Sequence, residues 1–119
     1  MILAIIGSRN LKIEEMERYL PQGVTEIVTG GARGIDTQAQ TMAEKQKIKL
    51  TVFLPQYPRY GRGAPLKRNE QIVDHADAVL AFWDSTSKGT QQAVAYAKKQ
   101  NKPVRVYLFQ KSETPSCAE

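Results

Sequence analysis

Five short apolar runs, rich in β-branched residues, alternate along the chain with four segments whose apolar residues recur at helical spacing. The runs cover residues 2–6, 26–29, 49–54, 78–83 and 104–109. Most of them are continuous, as expected for parallel strands that are covered on both faces. The alternation predicts βαβ units with right-handed crossovers. The predicted fold class is therefore α/β: a Rossmann-like three-layer sandwich with an open, mostly parallel sheet of about five strands.

Each helical segment places its apolar residues on one face, and the third also carries an inward polar residue. These faces comprise Leu11, Met16, Tyr19 and Leu20; Ile35, Ala39, Met42 and Ala43; Leu66, Asn69, Ile72 and Val73; and Ala93, Val94 and Ala97. Residues 55–65 form a longer linker, rich in Pro, Tyr, Arg and Gly, which is expected to be an ordered lid or wall. One domain is predicted over residues 1–111, followed by a disordered tail at 112–119.

Length and composition narrow the class of protein. The 119 residues suffice for one core. No apolar run approaches the roughly 20 residues of a membrane span, and the apolar start lacks the basic region of a signal peptide. With Cys117 as its single cysteine, the chain is expected to be a cytoplasmic protein without disulfides. His75 has no Cys or His at metal-ligand spacing, so no metal site is predicted.

Small and cationic residues follow three of the predicted strands, where parallel strands present their carboxyl ends to a ligand. The candidate ligand-binding residues are Gly7, Ser8 and Arg9 after the first run; Gly30, Gly31, Ala32, Arg33, Gly34 and Asp36 after the second; Arg68 and Asn69 in the third helical segment; and Asp84, Ser87, Gly89 and Thr90 after the fourth run. Glycine allows backbone N–H groups to approach an anion, and a helix N-terminus adds partial positive charge. The pattern predicts a nucleotide-like ligand.

Each motif also has a plainer structural interpretation. The first could be a tight strand–helix turn with an exposed Arg9. Ser87 could simply cap a helix, although capping does not explain Gly89 inside the first turn. Asp84 could accept ribose hydroxyls or order its own loop, and Asn69 could cap a neighbouring loop or meet the ligand.

The net charge of +5 is compatible with nucleic acid, but the cations fall into two groups. One group lies in or beside the loops after strands and is interpreted as a focused anion site: Arg9, Arg33, Arg62, Lys67, Arg68 and Lys88. The other clusters near helix ends, where a cation offsets the C-terminal dipole: Lys45, Lys47, Lys49, Lys98, Lys99 and Lys102.

Together these motifs resemble the SLOG superfamily, most closely its small single-domain bacterial and phage group, the YspA/YpsA-related proteins. The resemblance extends to about residue 109. Related proteins include the lonely-guy phosphoribohydrolases and the DNA-processing protein A. The resemblance implies a Rossmann-like fold and a nucleotide-type ligand held by the loops at 7–9, 30–36 and 87–90, with Arg68 and Asn69 contributing.

One departure bears on catalysis. The phosphoribohydrolases carry a Pro-Gly-Gly-x-Gly-Thr-x-x-Glu motif whose Glu assists N-glycosidic cleavage. Here Gly89 and Thr90 correspond to its Gly-Thr, but Ala93 stands at the Glu position. The favoured hypothesis is a sensor or sequestering module for a nucleotide or nucleotide-derived molecule, ADP-ribose-like or NAD-derived, with no catalytic residue and no cofactor. The alternatives are a nucleoside-phosphate N-glycosidic hydrolase and a single-stranded DNA-binding protein. The sequence leaves open whether the protein forms a homodimer.

Overall fold

The computed structural model describes residues 1–31 and 34–109. Five parallel strands form one sheet in the order β3-β2-β1-β4-β5. The strands are β1 Ile2–Gly7, β2 Glu26–Thr29, β3 Lys49–Val52, β4 Ala78–Trp83 and β5 Val104–Leu108. The helices are α1 Ile35–Gln46, α2 Tyr57–Tyr60, α3 Ala64–His75 and α4 Lys88–Lys99, with 3-10 turns at Met16–Tyr19 and Gly61–Gly63. The predicted α/β fold is confirmed, whereas the predicted tail at 112–119 lies outside the described residues.

The central strands are apolar on both faces because each face packs against its own layer. In β1, Leu3 and Ile5 face the layer that contains α1, and Ala4 and Ile6 face α3 and α4. Side chains alternate between the faces of a strand, so a continuous apolar run serves both layers. The two edge strands, β3 and β5, are only partly covered.

The first predicted helix is wrong. Residues 10–15 form no helix, and Met16–Tyr19 makes a single 3-10 turn. The side-chain amide of Gln38 on α1 bonds both the N–H and the carbonyl of Ile13, each at 2.7 Å. These bonds take the place of intrahelical ones, and Glu15 adopts a left-handed conformation that no continuing helix permits. Leu11, Ile13 and Met16 are nevertheless buried in the core.

Three strand ends also differ from the sequence prediction, and the first is that β1 extends by one residue, to Gly7. The third strand ends at Val52, just before Pro55, and the fifth ends at Leu108. Residues 57–63 form α2 and the following 3-10 turn, so the linker is ordered. Only its last residue, Pro65, reaches the cleft described below, and it does so from the start of α3.

The strand order reverses direction between β1 and β4. The chain passes from β1 outward to β2 and β3, then returns to place β4 on the other side of β1. Crevices at such switch points, beyond the carboxyl ends of the strands, are where open α/β sheets bind ligands. Within residues 1–31 and 34–109, no helix is long and apolar enough to cross a membrane.

Candidate functional site

A cleft of about 350 Å³ opens at the switch point, beyond the carboxyl ends of β1 and β4. It brings together residues that the sequence prediction drew from four separate segments. The predicted residues that line it are Gly7, Arg9, Asp36, Arg68, Asn69, Asp84, Ser87, Gly89 and Thr90. A larger depression of about 520 Å³, between the 11–17 segment and α1, contains only Gly34 of the predicted set.

A hydrogen bond between Asp84, which lines the cleft, and Ser8, which does not, joins the segments that follow β4 and β1. Ser8 is 1% exposed, and its Oγ accepts a hydrogen bond of 3.1 Å from the N–H of Asp84. Asp84 Oδ1 in turn accepts bonds from the N–H and Oγ1 of Thr86 and from the N–H of Ser87. Burial raises the pKa of Asp84, but these donors outweigh it, so the pKa lies below its ordinary value. Asp84 therefore orders its own loop as an ionised carboxylate, while its side chain lines the cleft.

The N-terminus of α4 points into the cleft. Ser87 caps it, because its Oγ accepts from the N–H of Thr90 at 3.3 Å and lies 3.0 Å from Thr90 Oγ1. No acceptor in the described part of the chain is bonded to the N–H groups of Lys88 and Gly89. Capping by Ser87 is thus real, and it still leaves two backbone donors for an anion.

Gly89 has free space around it. Apart from adjacent residues and the backbone of α4 itself, the nearest described atom to a Cβ added there would be Asn69 Nδ2, 3.8 Å away. No contact with a residue of the described ranges therefore requires glycine at this position, where alanine would favour the helix. The missing side chain keeps the space in front of the α4 N-terminus open.

Arg68 is a buried cation on the opposite wall. It is 7% exposed. Its Nη1 donates to the carbonyl of Gly30 at 2.5 Å, and its Nε donates to Asn69 Oδ1 at 2.9 Å. No hydrogen bond or ion pair within residues 1–31 and 34–109 involves Nη2. Burial lowers the pKa of Arg68, and the Asp36 carboxylate opposes that shift, so the guanidinium stays charged.

Most glycines of the second motif are explained by packing. A Cβ on Gly30 would lie 2.7 Å from Arg68 Nη1, so glycine there makes room for the guanidinium. Gly34 has a φ of 76° and would place a Cβ 2.5 Å from the carbonyl oxygen of Arg9. Neither these two nor Gly31 lines the cleft. Ala32 and Arg33, the remaining predicted residues of this motif, lie outside the described residues.

The remaining predicted charges lie at different depths. Arg9 is exposed at the mouth of the cleft, whereas Asp36 is 7% exposed at the start of α1. Among the described residues the cleft thus contains two arginines and two aspartates. No group of three or more His, Cys, Asp or Glu residues that could hold a metal ion occurs in the described ranges.

The sequence prediction did not include several lining residues. Asn10 and Thr86 are polar neighbours of predicted positions and could have been found from the loops they share. Pro65, Leu66 and Ala93 carry no polar signal; only the docking of α3 beside α4 brings them to the cleft.

The fold and this cleft define a Rossmann-like α/β protein with a crevice at the switch point of its sheet. No protein-family model matches the chain, and no solved structure matches it. Over 33 residues, 28% of the chain, it is 46% identical to the uncharacterized SPbeta prophage-derived protein YoqJ of Bacillus subtilis (strain 168). The match spans about a fifth of that protein's length (19%), and its name assigns no activity.

Proposed function

We propose that the protein binds a nucleotide or nucleotide-derived small molecule in the cleft between β1 and β4, as a sensor or sequestering module. The observation that carries this proposal is the pairing of two anion-binding elements across one cleft. The buried guanidinium of Arg68 lies on one wall, and the open N-terminus of α4 at Gly89 lies on the other. A buried arginine and free backbone donors together suit a phosphate group.

Size and charge favour a ligand with few phosphates in this cleft. Ligand pockets occupy about 300–1,000 Å³, and the volume here, about 350 Å³, is near the lower limit. The carboxylates of Asp36 and Asp84 balance the charges of Arg9 and Arg68. A polyphosphate would gain little from such a balanced site, whereas one phosphate next to a ribose could bind the cations and leave its hydroxyls to Asp84.

Membership of the SLOG superfamily, in its small single-domain group, is part of the same proposal. It rests on the four motifs in order and is supported by their convergence on one cleft. Ala93 lies in the cleft at the position of the phosphoribohydrolase Glu. An alanine side chain neither accepts nor donates a proton, so the proposed role is binding without glycosidic cleavage.

Calorimetry with nucleoside monophosphates and with ADP-ribose tests the proposal. Arg9→Ala should weaken binding at least tenfold because a charge-assisted hydrogen bond is lost, while Arg62→Ala should bind like the parent. Both arginines are exposed, but Arg62 does not line the cleft. Failure of every probe to bind the parent, or equal losses in both variants, would overturn the proposal.

A titration with single-stranded DNA separates the nucleic-acid alternative. Part of the second cation group already has a structural role, because Lys102 Nζ donates to the carbonyls of Val73, Asp74 and Ala76 at the end of α3. We expect only salt-sensitive DNA binding of about 10⁻⁴–10⁻⁶ M, displaced by nucleotides. Nanomolar binding that survives Arg68→Ala would favour the DNA-binding alternative instead.

A further inference from the structure

A second depression adjoins the cleft between α3 and α4. It has a volume of about 230 Å³, and its lining residues are Leu66, Asn69, Glu70, Gln92, Ala93 and Tyr96. Three of these, Leu66, Asn69 and Ala93, also line the cleft at the switch point. The two depressions therefore meet at these shared residues, and we call the outer one the α3–α4 groove.

A small residue, Ala93, lies on the α4 side of this junction. Ala93 lies on the second turn of α4, facing α3, and its side chain contributes only a methyl group to the shared wall. A long side chain at this position would occupy the space where the cleft and the groove meet. A ligand whose phosphate binds near Gly89 and Arg68 would reach the groove between Asn69 on α3 and Ala93 on α4.

Asn69 presents a donor at the same junction. The Nε–H of Arg68 can only donate, so the oxygen of the Asn69 amide must be the atom 2.9 Å from it. This bond assigns the amide orientation and leaves Nδ2 on the side of Gly89. The Asn69 Nδ2 group is thereby fixed as a hydrogen-bond donor where the cleft and the groove meet.

The groove itself suits a flat, uncharged, polar group. Its apolar walls are the Leu66 side chain, which is 44% exposed, and the ring of Tyr96. The hydroxyl of Tyr96 donates to Asp74 Oδ1 at 2.8 Å, which holds the ring against α3. The polar groups are the amides of Asn69 and Gln92 and the carboxylate of Glu70, and none of the described residues that line the groove is cationic. Lys67 Nζ pairs with Glu70 Oε1 at 3.5 Å without lining the groove, so a second phosphate would gain no cation from the lining, whereas a heterocycle with donor and acceptor edges would meet partners.

We propose that the α3–α4 groove binds the nucleobase of a ligand whose phosphate occupies the cleft. This inference rests on the proposed function, and it assigns the two parts of the nucleotide to two adjoining sites. It makes the base a contributor to affinity, so a ribose phosphate without a base should bind distinctly more weakly than a nucleotide.

Calorimetry on the full chain tests the inference with ribose 5-phosphate and the four nucleoside monophosphates AMP, GMP, CMP and UMP. In the parent, at least one monophosphate should bind about tenfold or more tightly than ribose 5-phosphate, because base stacking adds to affinity. Gln92→Trp should remove most of that advantage by filling the groove and leave ribose 5-phosphate binding unchanged. Gln91→Trp is the matched control, since Gln91 is the exposed neighbour on α4 that lines neither site.

The outcomes separate the two proposals. Equal affinity of the parent for ribose 5-phosphate and all four monophosphates would overturn the proposal that the groove binds the base, and it would leave the proposed phosphate site intact. This measurement needs no variant. An unchanged monophosphate affinity in Gln92→Trp, or an equal loss in Gln91→Trp, would also overturn it. If neither class of probe binds the parent, the proposed function fails, and the groove assignment fails with it.

Discussion

Replacing Gly89 with alanine should change stability and binding in opposite directions. Apart from adjacent residues and the backbone of α4, the added Cβ meets no described atom nearer than Asn69 Nδ2, at 3.8 Å, and the backbone at this position has no positive φ. Alanine costs less conformational entropy than glycine in a helix, by about 0.5–1 kcal/mol. We therefore expect Gly89→Ala to raise the free energy of unfolding by that amount, and Tm by roughly 2–6 °C.

Binding should weaken because the same methyl group enters the cleft in front of the α4 N-terminus. It would keep a phosphate from the free N–H groups of Lys88 and Gly89. Hydrogen bonds to charged groups contribute about 1.5–3 kcal/mol, so the affinity for a nucleoside monophosphate should fall roughly 10- to 150-fold.

Urea denaturation of the ligand-free proteins and calorimetry with the tightest monophosphate measure the two effects. Gly63→Ala is the control: Gly63 is the N-cap residue of α3, whereas Gly89 lies in the first turn of α4, and Gly63 likewise has space for a Cβ among the described residues but does not line the cleft. It should leave binding unchanged. Undiminished affinity in Gly89→Ala would refute the assignment of the α4 N-terminus as the phosphate site, and a destabilised Gly89→Ala protein would refute the packing argument.

Three further expectations follow from particular contacts. Arg68→Gln should lower the free energy of unfolding by about 1–3 kcal/mol, because the Gly30 carbonyl loses a buried donor; urea denaturation measures this, and an unchanged midpoint would contradict it. Hydrogen bonds from Thr51 and then His75 lower the pKa of the Glu26 carboxylate below its ordinary value of 4.5. The ionised carboxylate therefore stabilises the fold above pH 4.5, and this stabilisation is lost as pH falls through the lowered pKa of the folded protein. Glu26→Gln should therefore be less stable than the parent at neutral pH, and the difference in unfolding midpoints should shrink as pH falls through the lowered pKa of Glu26; a difference that is constant with pH would argue against the ionised contact. Nucleoside monophosphates incubated with the parent should release no free base on chromatography, because Ala93 supplies no acid or base; steady release that is lost in Asp84→Asn would instead support an enzyme.

The sequence alone determined the fold class and many of the residues that line the cleft. Apolar runs that alternate with helical spacing leave few arrangements other than a parallel sheet, because parallel strands need crossovers and two covered faces. The carboxyl ends of parallel strands share one edge, so the loops after β1 and β4 could be assigned to the same cleft. Nine of the predicted ligand-binding residues line it. These relations follow from local pattern and from the geometry of parallel sheets.

Only the tertiary structure decided which residues act on one another across the fold. Ser8 bonds to Asp84, which is 76 positions away in the sequence, and the carbonyl of Gly30 accepts from Arg68, which is 38 positions away. Neither pairing has a local sequence signature. The 10–20 segment has helical spacing, yet the Gln38 amide holds Ile13 in a non-helical conformation. The structure also separates the roles of two glycines. Gly30 makes room for the guanidinium of Arg68, whereas at Gly89 the described residues leave space for a side chain. Contacts between distant segments depend on how the crossovers dock the helices on the sheet, and the order of residues in each segment does not encode that docking by itself.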